Sequence, residues 1–212
     1  MKLYDYFRSS AAYRVRIALN LKGLAYERHE VHLVRDGGEH LKADYRAINP
    51  QARVPALELD DGTILTQSPA IREWIEETHP EPPLLPADPI PRARVRAVAA
   101  VVACDIHPIN NLRVLQHLKR MGIDEPARDE WYRHWIRTGF GPLEAQLTER
   151  PGTFCCGETP TLADICLVPQ VFNAQRLDVD LAPYPRIRAI HEACMQNLAF
   201  ADAQPSRQPD AE

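Results

Sequence analysis

"KLYDYFRSSAAYRVRIALNLKGLAYERHEVHL", residues 2–33, decides how the first part of this chain folds. Residues 2–6 alternate and are rich in aromatics, as a short strand would be. Ala11, Val15, Ala18 and Leu19 then recur at helical spacing across residues 11–22, and Gly23 offers a C-cap. In "AYERHEVHL" the period returns to two, so a second strand is expected. Strand, helix and strand in that order predict a parallel pair joined by a right-handed crossover.

Outward from this unit, "HLKADYRAINP" reads as a short helix ended by Asn49-Pro50. "VPALELDDGTILTQS" reads as a hairpin around Asp60-Asp61-Gly62. "SPAIREWIEETHP" opens a helix with Ser68 as N-cap and Pro69 at the first helical position. The sum is an α/β domain over residues 1–80. Six prolines between Pro80 and Pro91 then predict a Pro-rich linker over residues 81–91. Residues 92–212 read as an all-α domain with four helices: "RARVRAVAAVVACDI", broken near Pro108, "RDEWYRHWIRTGFGPLEAQLTER", "TLADICLVPQVFNAQRL" and "YPRIRAIHEACMQ". The closing "AQPSRQPDAE" is polar and Pro-containing and is expected to fray.

The 212 residues carry a net charge of -4, which argues against bulk nucleic-acid binding. No apolar run approaches the roughly 20 residues of a membrane span. The opening residues are strand-like and no apolar signal region follows them, so the expected location is the cytoplasm. The five cysteines, Cys104, Cys155, Cys156, Cys166 and Cys194, are odd in number and contain no C-x-x-C. They suggest free thiols, with no metal site, disulfide framework or redox pair.

Several polar groups stand out. Val54-Pro55 opens a strand, either as an ordinary edge proline or as a cis bond that leaves the Val54 backbone outward for an extended peptide. Gln67-Ser68 precedes a helix whose N-terminus either is capped by Ser68 or receives a carboxylate. Ser9 and Ser10 precede the first helix, and either cap it or hold a substrate thiolate. A free thiol titrates near ~8.5, and lowering that by about two units takes ~2.7 kcal/mol of anion stabilisation. One charge-assisted hydrogen bond together with a helix terminus is of that order. "CDIHPINNLRVL" crowds Asp105, His107, Asn110, Asn111 and Arg113 into one run, as a core network or a cleft wall. Arg176 is a lone strong charge in "VPQVFNAQRL". Thr161 and Asp164 form a capping-box-like helix start.

In this order, "RSSAAYRVRIALNLKG", "AINPQARVPAL", "QSPAIREWIEE", "LLPADP", "CDIHPINNLRVL" and "TPTLADICLVPQVFNAQR" resemble the zeta class of glutathione transferases across nearly the whole chain. That family includes the maleylacetoacetate and bacterial maleylpyruvate isomerases. The resemblance implies a thioredoxin-like N-terminal domain, an all-α C-terminal domain and a homodimer. It implies glutathione as cofactor and a small dicarboxylate as substrate, with no nucleic-acid or membrane partner. Val54-Pro55 then matches the cis-proline that pairs with the cysteinyl backbone of glutathione, Gln67 and Ser68 the γ-glutamyl carboxylate site, and His40 the glycyl end. Ser9 and Ser10 fall on the serine motif for the sulfur. Asp105, His107, Asn111 and Arg113 fall on the helix lining the active site. Arg8, Arg113 and Arg176 match basic positions for substrate carboxylates. Many members read Ser-Ser-Cys where this chain has Ser9-Ser10-Ala11, so no role that needs a protein thiol there applies. The implied reaction is isomerisation of maleylacetoacetate to fumarylacetoacetate, with maleylpyruvate to fumarylpyruvate or general S-transfer as alternatives.

Overall fold

β1 (Lys2–Asp5) and β2 (Glu27–Glu30) run parallel, joined by α1 (Ser10–Leu21). α2 (Ala43–Ile48) follows, then β3 (Ala56–Glu58) and β4 (Ile64–Thr66), which form the hairpin, and α3 (Ser68–Thr78). β3 lies antiparallel to β1, giving one mixed sheet in the order β2-β1-β3-β4. This is the thioredoxin-like arrangement. The computed structural model describes residues 1–212 and divides them into two units, 1–84 with 197–212, and 85–196.

β2 is shorter than its alternation suggests. The chain leaves the sheet because the His32 imidazole turns it: Nδ1 accepts the Val34 and Arg35 N–H groups at 3.2 and 2.7 Å. α3 starts one residue off the expected frame. Ser68 is its first residue, and Gln67 is the flanking N-cap at φ 69°, a backbone angle that no sequence pattern marks.

The largest correction concerns the end of the chain. Residues 197–212 belong with the first unit, and they do not fray. α9 (Leu198–Ala201) packs on α1 opposite α3, so α1 is buried almost all round, including Arg14 and Arg16. Arg16 is fully buried. It donates to Asp5 Oδ1 at 2.7 Å, to Phe7 O at 2.9 Å and to Ala203 O at 2.9 Å. Asp5 Oδ2 accepts from Arg28 at 2.8 Å, and Arg28 also reaches Asp210 Oδ1 at 2.8 Å. Asp210 Oδ2 accepts the Phe7 N–H at 2.9 Å.

The second unit is helical. α4 (Pro89–Ala100) starts inside the stretch expected to be linker, because prolines at the first turn forfeit no helical bond and Asp88 caps it. A π-helical segment, Val101–Ile106, continues α4 and gives way to a single 3-10 turn at Pro108–Asn110, where the break was expected. α5 (Leu112–Arg120), a helix the sequence reading did not separate, comes next. α6 (Glu125–Thr148), α7 (Leu162–Arg176) and α8 (Pro185–Met195) complete the unit. α6 comes so near the π-helical segment that a Cβ on Gly139 would lie 2.3 Å from Ile106 Cδ1, so any side chain there would force the buried Ile106 to move. The Thr161–Asp164 capping box heads α7, and the buried Asp164 also accepts the Cys155 N–H at 2.8 Å. Burial outweighs those bonds and raises the Asp164 carboxyl above its ordinary value. No helix is long and apolar enough to cross a membrane.

Removing one member of a buried ion pair strands the other charge, at a cost of about 3–5 kcal/mol. Asp5→Ala, which leaves the fully buried Arg16 without a carboxylate, should lose about that much in urea denaturation, and a loss below about 1 kcal/mol would show that Asp5 is not what holds the Arg16 charge.

Candidate active site

The β1–α1 loop carries Arg8 and Ser9, and Ser10 opens α1. The Ser9 N–H donates to Tyr6 O at 2.9 Å, which closes a turn and aims the residue at the head of α1. Ser9 is the N-cap: its hydroxyl oxygen accepts the Ala12 N–H at 3.2 Å. A hydroxyl has two acceptor positions and one proton, so this leaves the proton to donate elsewhere. Ser9 is half-buried, Ser10 is buried inside α1, and Arg8 is exposed with its guanidinium 5.8 Å from the Phe7 ring centre. Cap and thiol-holder, the two readings open for these serines, are therefore compatible at Ser9.

α3 is the opposite case. No side chain caps it, Pro69 has no N–H, and the Ile71 N–H makes the first backbone bond, to Gln67 O at 3.0 Å. The Ser68 and Ala70 N–H groups belong to the first turn, where the helix has no internal acceptors and where the dipole favours an anion. Gln67 holds its strained φ while its side-chain amide donates to Gln51 Oε1 at 2.5 Å. Strain of this kind concentrates where a ligand is held. Gln51 is a site neighbour that the sequence reading missed, since its spacing from Gln67 carries no periodic signal.

Val54-Pro55 is cis. Its ladder with β1 begins at Ala56, so the Val54 backbone lies outside the sheet register. The preceding carbonyl, Arg53 O, is held by the Tyr45 hydroxyl at 2.6 Å and Asn49 Nδ2 at 2.7 Å.

His40 sits in a 3-10 turn, nine-tenths buried, and its Nδ1 has no partner in the chain. Burial and, second, the Arg46 charge hold its pKa below the ordinary histidine value, so the ring is neutral at pH 7. It can exchange a hydrogen bond with a ligand but cannot supply a cation. Gly38 makes room for it. At φ 101°, a Cβ there would lie 2.6 Å from the ring Cε1 and 2.9 Å from Nδ1.

In the second unit the polar run splits. Asp105 and Arg113 are exposed, His107 and Asn111 half-buried, Asn110 buried. Asn111 caps α5, its Oδ1 accepting the Arg113 N–H at 3.2 Å. Asn110 Nδ2 donates to Tyr132 O at 3.4 Å, and the Arg176 guanidinium lies 5.6 Å from the Tyr132 ring centre. Tyr132 thus ties the Asn110–Arg113 turn to exposed Arg176. The sequence reading did not single out Tyr132, because one more aromatic beside Trp131 and Trp135 on a helix reads as core.

Residues 8–78 match the N-terminal domain of glutathione S-transferases, and residues 125–193 match the C-terminal domain. The chain belongs to the glutathione S-transferase family, and within it to the zeta class. It is 51% identical over 210 residues to the maleylacetoacetate isomerase of Pseudomonas aeruginosa, covering 99% of this chain and 98% of that one. Among solved structures it is similar to a holo maleylpyruvate isomerase, a bacterial zeta-class glutathione S-transferase, with TM-score 0.96, 53% identity and 100% of both chains covered. It is also similar to the maleylacetoacetate isomerase of Methylobacterium extorquens with bound malonate and glutathione, with TM-score 0.96, 44% identity and full coverage of both chains.

Gly38→Ala should push the imidazole out of its seat. The loss of one hydrogen bond there should weaken glutathione binding about fivefold or more in calorimetry. Unchanged affinity would remove His40 from the ligand site.

Proposed function

We propose that this chain is a glutathione-dependent cis–trans isomerase that converts a maleyl ketone to its fumaryl isomer, with maleylacetoacetate as substrate. The observation that carries the reading is Ser9, which caps α1 with its oxygen and keeps its proton for a ligand sulfur. The uncapped α3 and the partnerless, buried Nδ1 of His40 fit a short anionic peptide. In this reading the γ-glutamyl carboxylate meets Ser68 at the α3 terminus beside Gln67, the peptide backbone pairs at Val54-Pro55, and the glycyl end meets His40. Asp105, His107, Asn111 and Arg113 complete the cofactor site.

Glutathione, when bound, supplies a thiolate that adds reversibly to the activated double bond, so that the bond is single while it rotates and the thiol returns unchanged. The chain's own residues do the rest. The Ser9 hydroxyl donates to the sulfur and favours its ionised form, helped by the positive end of α1. Arg8, Arg113 and Arg176 hold carboxylates, for which a planar guanidinium fork is suited. Arg8, next to Ser9, serves the carboxylate and the thiolate together. Ala11 leaves no protein thiol in the loop, so the sulfur must be borrowed.

Maleylpyruvate is the second substrate reading, favoured by Arg176 and the "CDIHPINN" run. An ultraviolet assay of both compounds, with and without glutathione, separates the readings. The proposal also makes the enzyme a cytoplasmic homodimer, for which light scattering at twice the chain mass is the test.

Ser9→Ala should cut turnover at neutral pH far more than Ser10→Ala, with partial recovery at high pH, where the thiol ionises unaided. The double variant should be no more active than Ser9→Ala. Full activity in the double variant would end the thiolate reading. Arg176→Ala should raise KM for the dicarboxylate about tenfold or more and spare glutathione affinity. Unchanged kinetics would take Arg176 out of the substrate site.

A further inference from the structure

We infer that Asp210 is a positioning residue for the thiolate site, acting through the Phe7 N–H and Arg28 to hold the loop that aims Ser9. The inference rests on the glutathione reading above. Phe7 lies two residues before Ser9, and both its backbone groups are taken by charged side chains. Its N–H goes to Asp210 Oδ2 at 2.9 Å and its carbonyl to Arg16 Nη2 at 2.9 Å. The Ser9 N–H then closes on Tyr6 O at 2.9 Å, so the turn is held from outside and inside. Asp210 is buried and paired with Arg28, which also reaches Asp5 at the end of β1. The loop is thus strung between the end of the strand that precedes it and a segment about two hundred residues further along the chain.

The charge on Asp210 persists through the working pH range. Burial alone would raise its carboxyl, but the bonds from Arg28 and the Phe7 N–H outweigh burial and hold it below the ordinary carboxylate value. A depressed carboxyl contributes stability above its unfolded value and loses it only as pH falls through the lower folded one. The strap therefore stays made at neutral pH. Hydrogen bonds to charged groups are among the stronger ones, and losing this one frees the peptide plane leading to Ser9.

Two readouts test this. The first is residue-resolved amide hydrogen exchange on the protein without ligand. Asp210→Ala should speed exchange at Phe7 and Ser9 about tenfold or more relative to β3. The second is ultraviolet titration of the bound glutathione thiol. Its midpoint should lie well below ~8.5 in the wild type and move back toward that value in Asp210→Ala. Asp210→Asn keeps the shape and an acceptor for Phe7 while losing the ion pair, so it should fold where the alanine variant does not, and shift both readouts in the same direction by less. Affinity for S-methylglutathione should change less than threefold in either variant. A depressed wild-type midpoint that stays put in the variants, or exchange that rises no more at Phe7 than in β3, overturns the role of Asp210. A wild-type midpoint equal to that of free glutathione overturns the glutathione reading and this inference with it.

Discussion

Asp5 accepts two guanidinium groups at once, Arg16 at 2.7 Å and Arg28 at 2.8 Å, from a position with no contact with water. The first unit depends on that arrangement. Arg16 lies on a helix buried on both sides, and its charge would be intolerable there without a carboxylate. Arg28 carries the network on to Asp210, so strand, helix and closing segment are joined by one set of charges. The loop bearing Arg8 and Ser9 lies among them, and the Phe7 N–H and carbonyl within it are bonded to members of the same set. Site and stability therefore share their interactions.

The two helix N-termini of this unit are treated oppositely, and the difference has chemical meaning. α1 is capped by Ser9, so the Ala12 N–H of its first turn is satisfied within the chain while the hydroxyl proton is left over. α3 is uncapped, preceded by a residue held at φ 69°, and lacks a donor at Pro69. A hydroxyl that can donate suits a soft anion such as a thiolate. An open helix terminus suits a carboxylate. Glutathione carries both groups on one short peptide, and the neutral imidazole of His40, whose Nδ1 has no partner, suits its other end.

Much of this was legible in the sequence because it rests on local periodicity. The switch from period two to helical spacing and back marks β1, α1 and β2, and Asp60-Asp61-Gly62 marks the hairpin. Thr161 and Asp164 announce the start of α7. The misreadings came from interactions without a local signature. The end of β2 is set by the His32 ring, and the frame of α3 by the backbone angle of Gln67, while Ser68-Pro69 imitates a cap one residue late. Residues 203–212 look solvated because they are polar and contain proline. Asp210 is nevertheless buried against Arg28, 182 residues before it, and Ala203 just behind the fully buried Phe200 gives its carbonyl to Arg16. Of the candidate site, the serines, Val54-Pro55, Gln67 and His40 were legible by resemblance. Gln51, Tyr132 and Asp210 were not, since each matters only through a partner distant in sequence.

The chain borrows a thiol and returns it. The direct measurement is a thiol count alongside isomer formation, with glutathione well below the concentration of the maleyl ketone. Many turnovers per glutathione, an unchanged thiol total and no turnover when glutathione is left out are expected. Loss of one thiol per product molecule, or full turnover without glutathione, would contradict a borrowed thiol.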